Sequence, residues 1–196
     1  MAPPGSTYHQ YVLLDRDGVI NIERGDYTTT REEWEWAPGA LEGLKFLKEA
    51  GFGAIVITNQ ACIAKGLQTE ERLADLHRFM RERVADAGGE IVAVYHCPHQ
   101  TSDRCQCRKP EPGLLLKAAV DYQFNLPETF YIGDTSRDTE AARRAGARNI
   151  LIEGDWNIHP DPGIPVQADF HAASLTEATL IVITETNKQR AGCRER

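Results

Sequence analysis

The chain has 196 residues, 41% hydrophobic and 26% charged, enough to enclose one two- or three-layer core, so a single domain over 1–196 with flexible termini is expected. No run approaches the roughly 20 apolar residues that span a bilayer, and the opening "MAPPGSTYHQ" lacks the basic-then-apolar order of a signal peptide, so a cytoplasmic protein with no membrane partner is expected. A net charge of -7 argues against a nucleic-acid partner, which needs a concentrated basic face, and leaves room for a few placed cations that hold a small anion.

After a Pro/Gly/Ser leader, Tyr11–Leu14 (YVLL) is an unbroken apolar run stopping at Asp15-Arg-Asp17-Gly18, the pattern of a strand buried on both faces. Pro38 to Gly51 predicts a helix with Leu41, Leu44 and Leu47 on one side and Gly51 as its stop. Ala54–Gln60 (AIVITNQ) reads as the next strand. Thr69 then caps a helix that carries Leu73, Leu76, Met80 and Val84 on one face and ends at Gly88-Gly89. Ile91–His99 is a strand that delivers the chain into the loop "HCPHQTSDRCQCRKP", residues 96–110. Helices over Pro112–Phe124 and Asp138–Ala147 flank a strand at Thr129–Asp134; a further strand follows at Asn149–Asp155, and Ser174 with Glu177 opens a last helix as a capping box. Strands alternating with helices predict an α/β fold: a three-layer, doubly wound, mainly parallel Rossmann-like sheet that binds ligands at its carboxyl edge. No long insertion follows the first motif, and between Thr58 and Lys109 there is room only for a helix, a strand and the loop. A large cap domain is therefore not expected, and selectivity falls to short loops.

Four strand-end clusters meet at one edge of such a sheet: Asp15 with Asp17; Thr58, Asn59 and Gln60; Arg108 with Lys109; Asp134 with Asp138. Each has a local explanation by itself, as an Asp-Gly turn or a helix cap. In this order, each after its own strand, they describe a phosphate site. Carboxylates from two strands suit Mg²⁺, which takes few protein ligands and leaves room for water and phosphate, while a hydroxyl and an ammonium hold the other phosphate oxygens.

The loop holds three of the five cysteines. Cys97-Pro-His99, a five-residue gap and Cys105-Gln-Cys107 offer three thiolates and one imidazole, a set suited to a closed tetrahedral Zn²⁺ site. There is no CxxC redox pair, and Cys105 and Cys107 are too close for an easy disulfide. With all four positions filled by protein the zinc is expected to be structural, stapling a loop poor in apolar residues just before Arg108 and Lys109. His96 is read as a strand-end residue, Cys62 as a small buried apolar residue and Cys193 as a tail thiol.

These motifs resemble those of the haloacid dehalogenase-like phosphatases: DxD after the first strand, Thr58 after the second, Lys109, and Gly133-Asp134-Thr-Ser-Arg-Asp138. The zinc loop narrows the resemblance to the histidinol-phosphatase branch, and "TNQACIAKG" (58–66) with "CRKPEPG" (107–113) to its heptose bisphosphate phosphatases. It implies that Asp15 attacks phosphorus to form an aspartyl-phosphate, and that Asp17 protonates the leaving alcohol and then activates water. It further implies that Asp15, the Asp17 main-chain carbonyl and Asp134 bind Mg²⁺, that Thr58 and Lys109 stabilise the phosphoryl group, and that Asp138 orients Lys109 or a metal-bound water. Glu23, Arg24, Tyr27, Asn59, Gln60, Arg108 and Thr135 would contact the sugar or the retained phosphate. The reaction implied is removal of the 7-phosphate of D-glycero-D-manno-heptose 1,7-bisphosphate by a monomer, on the route to nucleotide-activated heptose and lipopolysaccharide. Hydrolysis of histidinol phosphate, or a non-catalytic phospholigand-binding module, are the rival readings; a paired nucleophile and acid-base group favour an enzyme. The chain departs from the family pattern at Ala61, Cys62 and Thr135, where Ser, Gly and Lys are usual, and "ERGDY" carries one extra residue, which leaves open whether Arg24 or Asp26 faces the ligand.

Overall fold

The computed structural model describes residues 8–157 and 163–194, without the side chains of 192–194. The expected flexible termini at residues 1–7 and 195–196, and the Cys193 thiol, lie outside the described residues. The elements run β1 (Gln10–Leu14), α1 (Ala40–Glu49), β2 (Phe52–Asn59), α2 (Glu70–Asp86), β3 (Ile91–Cys97), α3 (Gly113–Tyr122), β4 (Phe130–Gly133), α4 (Ser136–Ala145), β5 (Arg148–Ile152), β6 (Phe170–Ala172) and α5 (Leu175–Arg194).

The strands form one sheet in the order β3-β2-β1-β4-β5-β6, and every pairing is parallel. Strand alternation divides the core in two. Val12 and Leu14 of β1 face a cluster closed by Leu44 and Leu47 of α1, Leu76, Met80 and Val84 of α2, and Leu175 and Val182 of α5. Tyr11 and Leu13 face the opposite cluster, closed by Leu114, Leu115 and Ala118 of α3 and Ala141 and Ala142 of α4. The result is the three-layer sheet expected from the apolar runs, which are continuous because both faces are covered.

Local signals act where they were read. The Thr69 hydroxyl accepts from Arg72 N (3.2 Å), and Ser174 Oγ accepts from Glu177 N (3.3 Å). Strand β6 was not anticipated: three residues, Phe-His-Ala, are too short to show a period. Leu41 is only partly buried, packing at the margin of the core that Leu44 and Leu47 enter.

The topology also places the site. From β1 the chain builds outward through β2 to β3, then returns to the other side of β1 at β4. The crevice at such a reversal opens at the strands' carboxyl ends, here between Leu14 and Gly133. Among the described residues no helix is long and apolar enough to cross a membrane.

Leu44 is fully buried, whereas Leu116 is 46% exposed. Leu44→Ala is expected to lower the unfolding free energy by about 2–5 kcal/mol in denaturant titration. Leu116→Ala should change it by no more than about 0.5 kcal/mol.

Candidate active site

Asp15 directly follows β1, and its N–H donates to Ile132 O of β4 (2.8 Å), carrying the sheet pairing one residue past the strand. Asp134 directly follows β4. Between them sits Gly18, at φ +80, where an added Cβ would lie 2.0 Å from Asp134 Oδ2. Glycine is therefore demanded twice, by the left-handed backbone and by the approach of a carboxylate. Trp156 Nε1 donates to Gly18 O (3.1 Å) and pins the turn.

Lys109 reaches into this crevice from the end of the cysteine loop and is buried. Its Nζ lies 2.7 Å from Asp15 Oδ1 and 2.7 Å from Asp138 Oδ1. Asp138 is saturated with donors: its Oδ2 accepts from the Thr135 N–H (3.0 Å), the Thr135 hydroxyl (2.6 Å) and the Asp134 N–H (3.3 Å). Burial opposes its charge, but Lys109 and Thr135 outweigh burial and hold Asp138 below the usual carboxylate range. Burial likewise opposes the Lys109 charge, and Asp138 and Asp15 more than restore it.

The other two carboxylates are less well compensated. Asp15 is pushed up to about 7, by burial first and then by Asp138 and Asp17, against the pull of Lys109. Asp134 is raised well above its ordinary value by burial and by Asp138 and Asp15, and both its carboxylate oxygens are buried without a hydrogen-bond partner. One ligand oxygen from each of Asp15, Asp134 and Asp138 lies within 4.8 Å of the others. Since Asp138 is already satisfied, Asp15 and Asp134 are the residues with lone pairs to offer a cation, and the orphaned Asp134 oxygens fit a hard divalent ion.

Asp17 is oriented by three neighbours. Its Oδ1 accepts from Arg16 Nη2 (2.8 Å) and Asn21 Nδ2 (2.9 Å), and its Oδ2 from Gln60 Nε2 (2.9 Å). Burial works against its charge, yet Arg16, Asn21 and Gln60 keep it below the ordinary carboxylate value.

A cavity of about 320 Å³ opens over these groups, lined by Asp15, Asp17, Thr58, Lys109, Asp134 and Asp138, and by Glu23, Tyr27, Asn59, Arg108 and Thr135. Two sequence-predicted residues stand elsewhere. Arg24 turns away to pair with Glu35, and Asp26 lines the cavity in its place. Gln60 is fully buried and serves the site from behind, its amide donating to Asp17 and to Thr58 Oγ1 (2.9 Å). Asn59 both lines the cavity and clasps the Lys109 backbone, accepting its N–H (3.1 Å) and donating to its carbonyl (3.2 Å).

Sequence reading missed Arg16, Asn21, Lys65, Tyr131 and Arg137. Lys65 and Arg137 add cations to the cavity wall, and Lys65 Nζ lies 5.0 Å from the Tyr27 ring centroid. Arg137 falls inside the GDTSRD segment, which could have flagged it. Tyr131 was hidden in an apolar strand; its signal was the phenol itself, which needs a partner when buried.

Beside the crevice, Cys97 Sγ lies 3.6 Å from Cys105 Sγ, 3.3 Å from Cys107 Sγ and 3.6 Å from His99 Nδ1. Cys105 and Cys107 are 3.4 Å apart, and His99 Nδ1 is 3.3 Å from Cys107. A tetrahedral ion with bonds of about 2.3 Å to sulfur has S···S edges of about 3.8 Å, so the four donors stand nearly at the corners such an ion requires. His96 points elsewhere, to Glu70 (2.9 Å). Cys62 is fully buried, as read.

Comparison with known proteins agrees with this geometry. The Hydrolase_like family model, HAD-hydrolase-like, matches residues 106–178. The D-glycero-beta-D-manno-heptose-1,7-bisphosphate 7-phosphatase of Pseudomonas putida is 40% identical over 155 residues, 79% of this chain and 89% of that protein. The enzyme of the same name from Yersinia pestis is 33% identical over 83% of this chain and 86% of its own length. Among solved structures, the D,D-heptose 1,7-bisphosphate phosphatase from B. bronchiseptica, complexed with magnesium and phosphate, superposes with a TM-score of 0.81 at 30% identity, covering 90% of this chain and 99% of that one.

The crowding at Gly18 can be isolated by comparison with Gly66, which also has positive φ (+71) but would meet nothing with an added Cβ. Gly66→Ala should cost about 1–2 kcal/mol for its left-handed backbone alone. Gly18→Ala should cost measurably more in the same denaturant titration, because the Asp134 carboxylate must also move.

Proposed function

The chain belongs to the haloacid dehalogenase-like phosphatases, in one family with the heptose bisphosphate phosphatases, and on that basis we propose that it removes the 7-phosphate of D-glycero-D-manno-heptose 1,7-bisphosphate through an aspartyl-phosphate. The observation that carries the reading is the pairing of Asp15 with a buried ammonium on one side and the unpartnered Asp134 carboxylate on the other.

Asp15, Asp134 and the Asp17 main-chain carbonyl would hold Mg²⁺, which supplies charge neutralisation to the phosphoryl oxygens when bound. The chain's own residues do the rest. The Asp15 carboxylate attacks phosphorus in line with the departing sugar oxygen; the bond to that oxygen breaks as the bond to Asp15 forms. Asp17 gives the leaving oxygen its proton. Asp17 then takes a proton from water, whose oxygen displaces Asp15 from phosphorus and releases phosphate. Arg16, Asn21 and Gln60 favour the carboxylate of Asp17, the form this second half needs, and the proton it takes from water restores the acid that the first half of the next turnover uses. Lys109 and Thr58 hold the transferring oxygens, with Lys109 kept in place by Asp138 and Asn59.

Glu23, Tyr27, Asn59, Arg108 and Thr135 would hold the sugar and the phosphate that stays, assisted by Asp26, Lys65 and Arg137 on the same wall. Cys97, His99, Cys105 and Cys107 would bind structural Zn²⁺; three thiols and an imidazole at these separations are a zinc donor set. Arg108 Nη1 donates to His99 O (3.2 Å), tying this cation of the cavity wall to the loop that holds the four donors. Thiols held this way suit a reducing cytoplasm, and a monomer acting as one domain is the expected form.

The test is a steady-state comparison, with Mg²⁺, of the two anomers of heptose bisphosphate, fructose bisphosphate and histidinol phosphate. A preference for heptose bisphosphate is expected, with the beta anomer named in the relatives favoured; higher kcat/KM on histidinol phosphate would overturn the assignment. Asp15→Asn should abolish turnover with zinc content and circular dichroism unchanged, and persistent hydrolysis would rule out the covalent route. Cys105→Ser should lose zinc and most activity; full activity in the zinc-free variant would refute the positioning role.

A further inference from the structure

Lys109 has more acceptors than protons. Its ammonium carries three N–H groups, yet four acceptors lie within hydrogen-bond distance of Nζ: Asp15 Oδ1 (2.7 Å), Asp138 Oδ1 (2.7 Å), the Tyr131 hydroxyl (2.8 Å) and Ile57 O (3.1 Å). The fourth proton comes from Tyr131, whose hydroxyl also lies 3.3 Å from Ile57 O and 3.1 Å from Asp138 Oδ1. Both side chains are buried, and no water is needed to balance the count. Burial and Asp138 raise the phenol well above its ordinary pKa, so it remains a donor.

We propose that Tyr131 is a positioning residue for phosphoryl transfer: its hydroxyl accepts one ammonium N–H and supplies the cluster's fourth proton, to Asp138 Oδ1 (3.1 Å) or Ile57 O (3.3 Å), so that this N–H can pass to the substrate's phosphoryl oxygen without leaving a buried acceptor unmet. This rests on the role assigned to Lys109 under the proposed function. Without the phenol, Ile57 O is left to the ammonium, whose three protons are then divided among Asp15, Asp138 and that carbonyl. A phosphoryl oxygen must compete with a buried carbonyl that has no other donor in this cluster, and an unsatisfied buried carbonyl is costly. The placement follows from strand geometry. Tyr131 lies in the middle of β4 beside Leu13 of β1, on the face that α3 and α4 cover, and Ile57 of β2 looks to the same side. The ring fills the layer beneath Lys109, with Nζ 5.6 Å from its centroid, and only the oxygen reaches the charge cluster.

The experiment is a double-mutant cycle on the Mg²⁺-loaded, zinc-replete enzyme, with Tyr131→Phe, Lys109→Ala and the pair, assayed on heptose bisphosphate, with orthovanadate as a mimic of the transferring phosphoryl group. Lys109→Ala is expected to lower kcat about 10²–10³-fold, as for loss of a preorganised donor. Tyr131→Phe is expected to lower kcat about tenfold, the worth of one hydrogen bond from a charged group. It should leave KM unchanged and weaken orthovanadate inhibition by a similar factor. On the Lys109→Ala background the phenylalanine should have no further effect. Wild-type kcat in Tyr131→Phe overturns the proposal, as does the same tenfold loss on both backgrounds, which marks an effect on the fold. A Tyr131→Phe protein that does not fold overturns it too, since the hydroxyl is then a stability element. If Lys109→Ala itself keeps wild-type kcat, the reading of the site fails, a result distinct from a null at Tyr131 alone.

Discussion

One buried ammonium facing three carboxylates organises the molecule. The single charge of Lys109 is shared between Asp138 and Asp15, and neither carboxylate oxygen of Asp134 has a hydrogen-bond partner among the described residues. With the carboxylates ionised the cluster is two charges short of balance, a deficit that burial makes expensive and a divalent cation would cancel. Burial first, and then the neighbouring carboxylates, raise Asp15 and Asp134, while Lys109 and Thr135 hold Asp138 down against its own burial.

The rest of the structure keeps that cluster in place. The sheet fixes Asp15 and Asp134 on adjacent central strands, the Asn59 amide grips the Lys109 backbone, and the cysteine loop arrives immediately before Arg108 and Lys109. A loop of polar residues cannot hold two cations to a fraction of an ångström by burial. Four soft ligands around one ion can, and the loop has the donors for it. On the opposite wall Arg16 and Gln60, both buried, aim Asp17 from behind.

Much of this was legible in the sequence. Continuous apolar runs ending in polar residues announce parallel strands buried on both faces, and side chains placed just after them share one rim by geometry alone. What remained illegible depends on reach rather than spacing. Arg24 and Asp26 differ by two positions in a loop without periodicity, and only the fold tells which one turns inward. Gln60 sits in a substrate-like motif yet is spent on its neighbours. Tyr131 reads as core because all but one heavy atom of a tyrosine side chain is carbon; its oxygen matters through a lysine 22 residues away, a pairing no local pattern encodes. Strand β6 is too short to register at all.

The form of the crevice bears on the kinetics as well. Among the described residues the elements include no separate cap domain, so no lid of that kind gates the crevice. Solvent viscosity should then leave turnover nearly untouched, because no cap movement controls the release of inorganic phosphate.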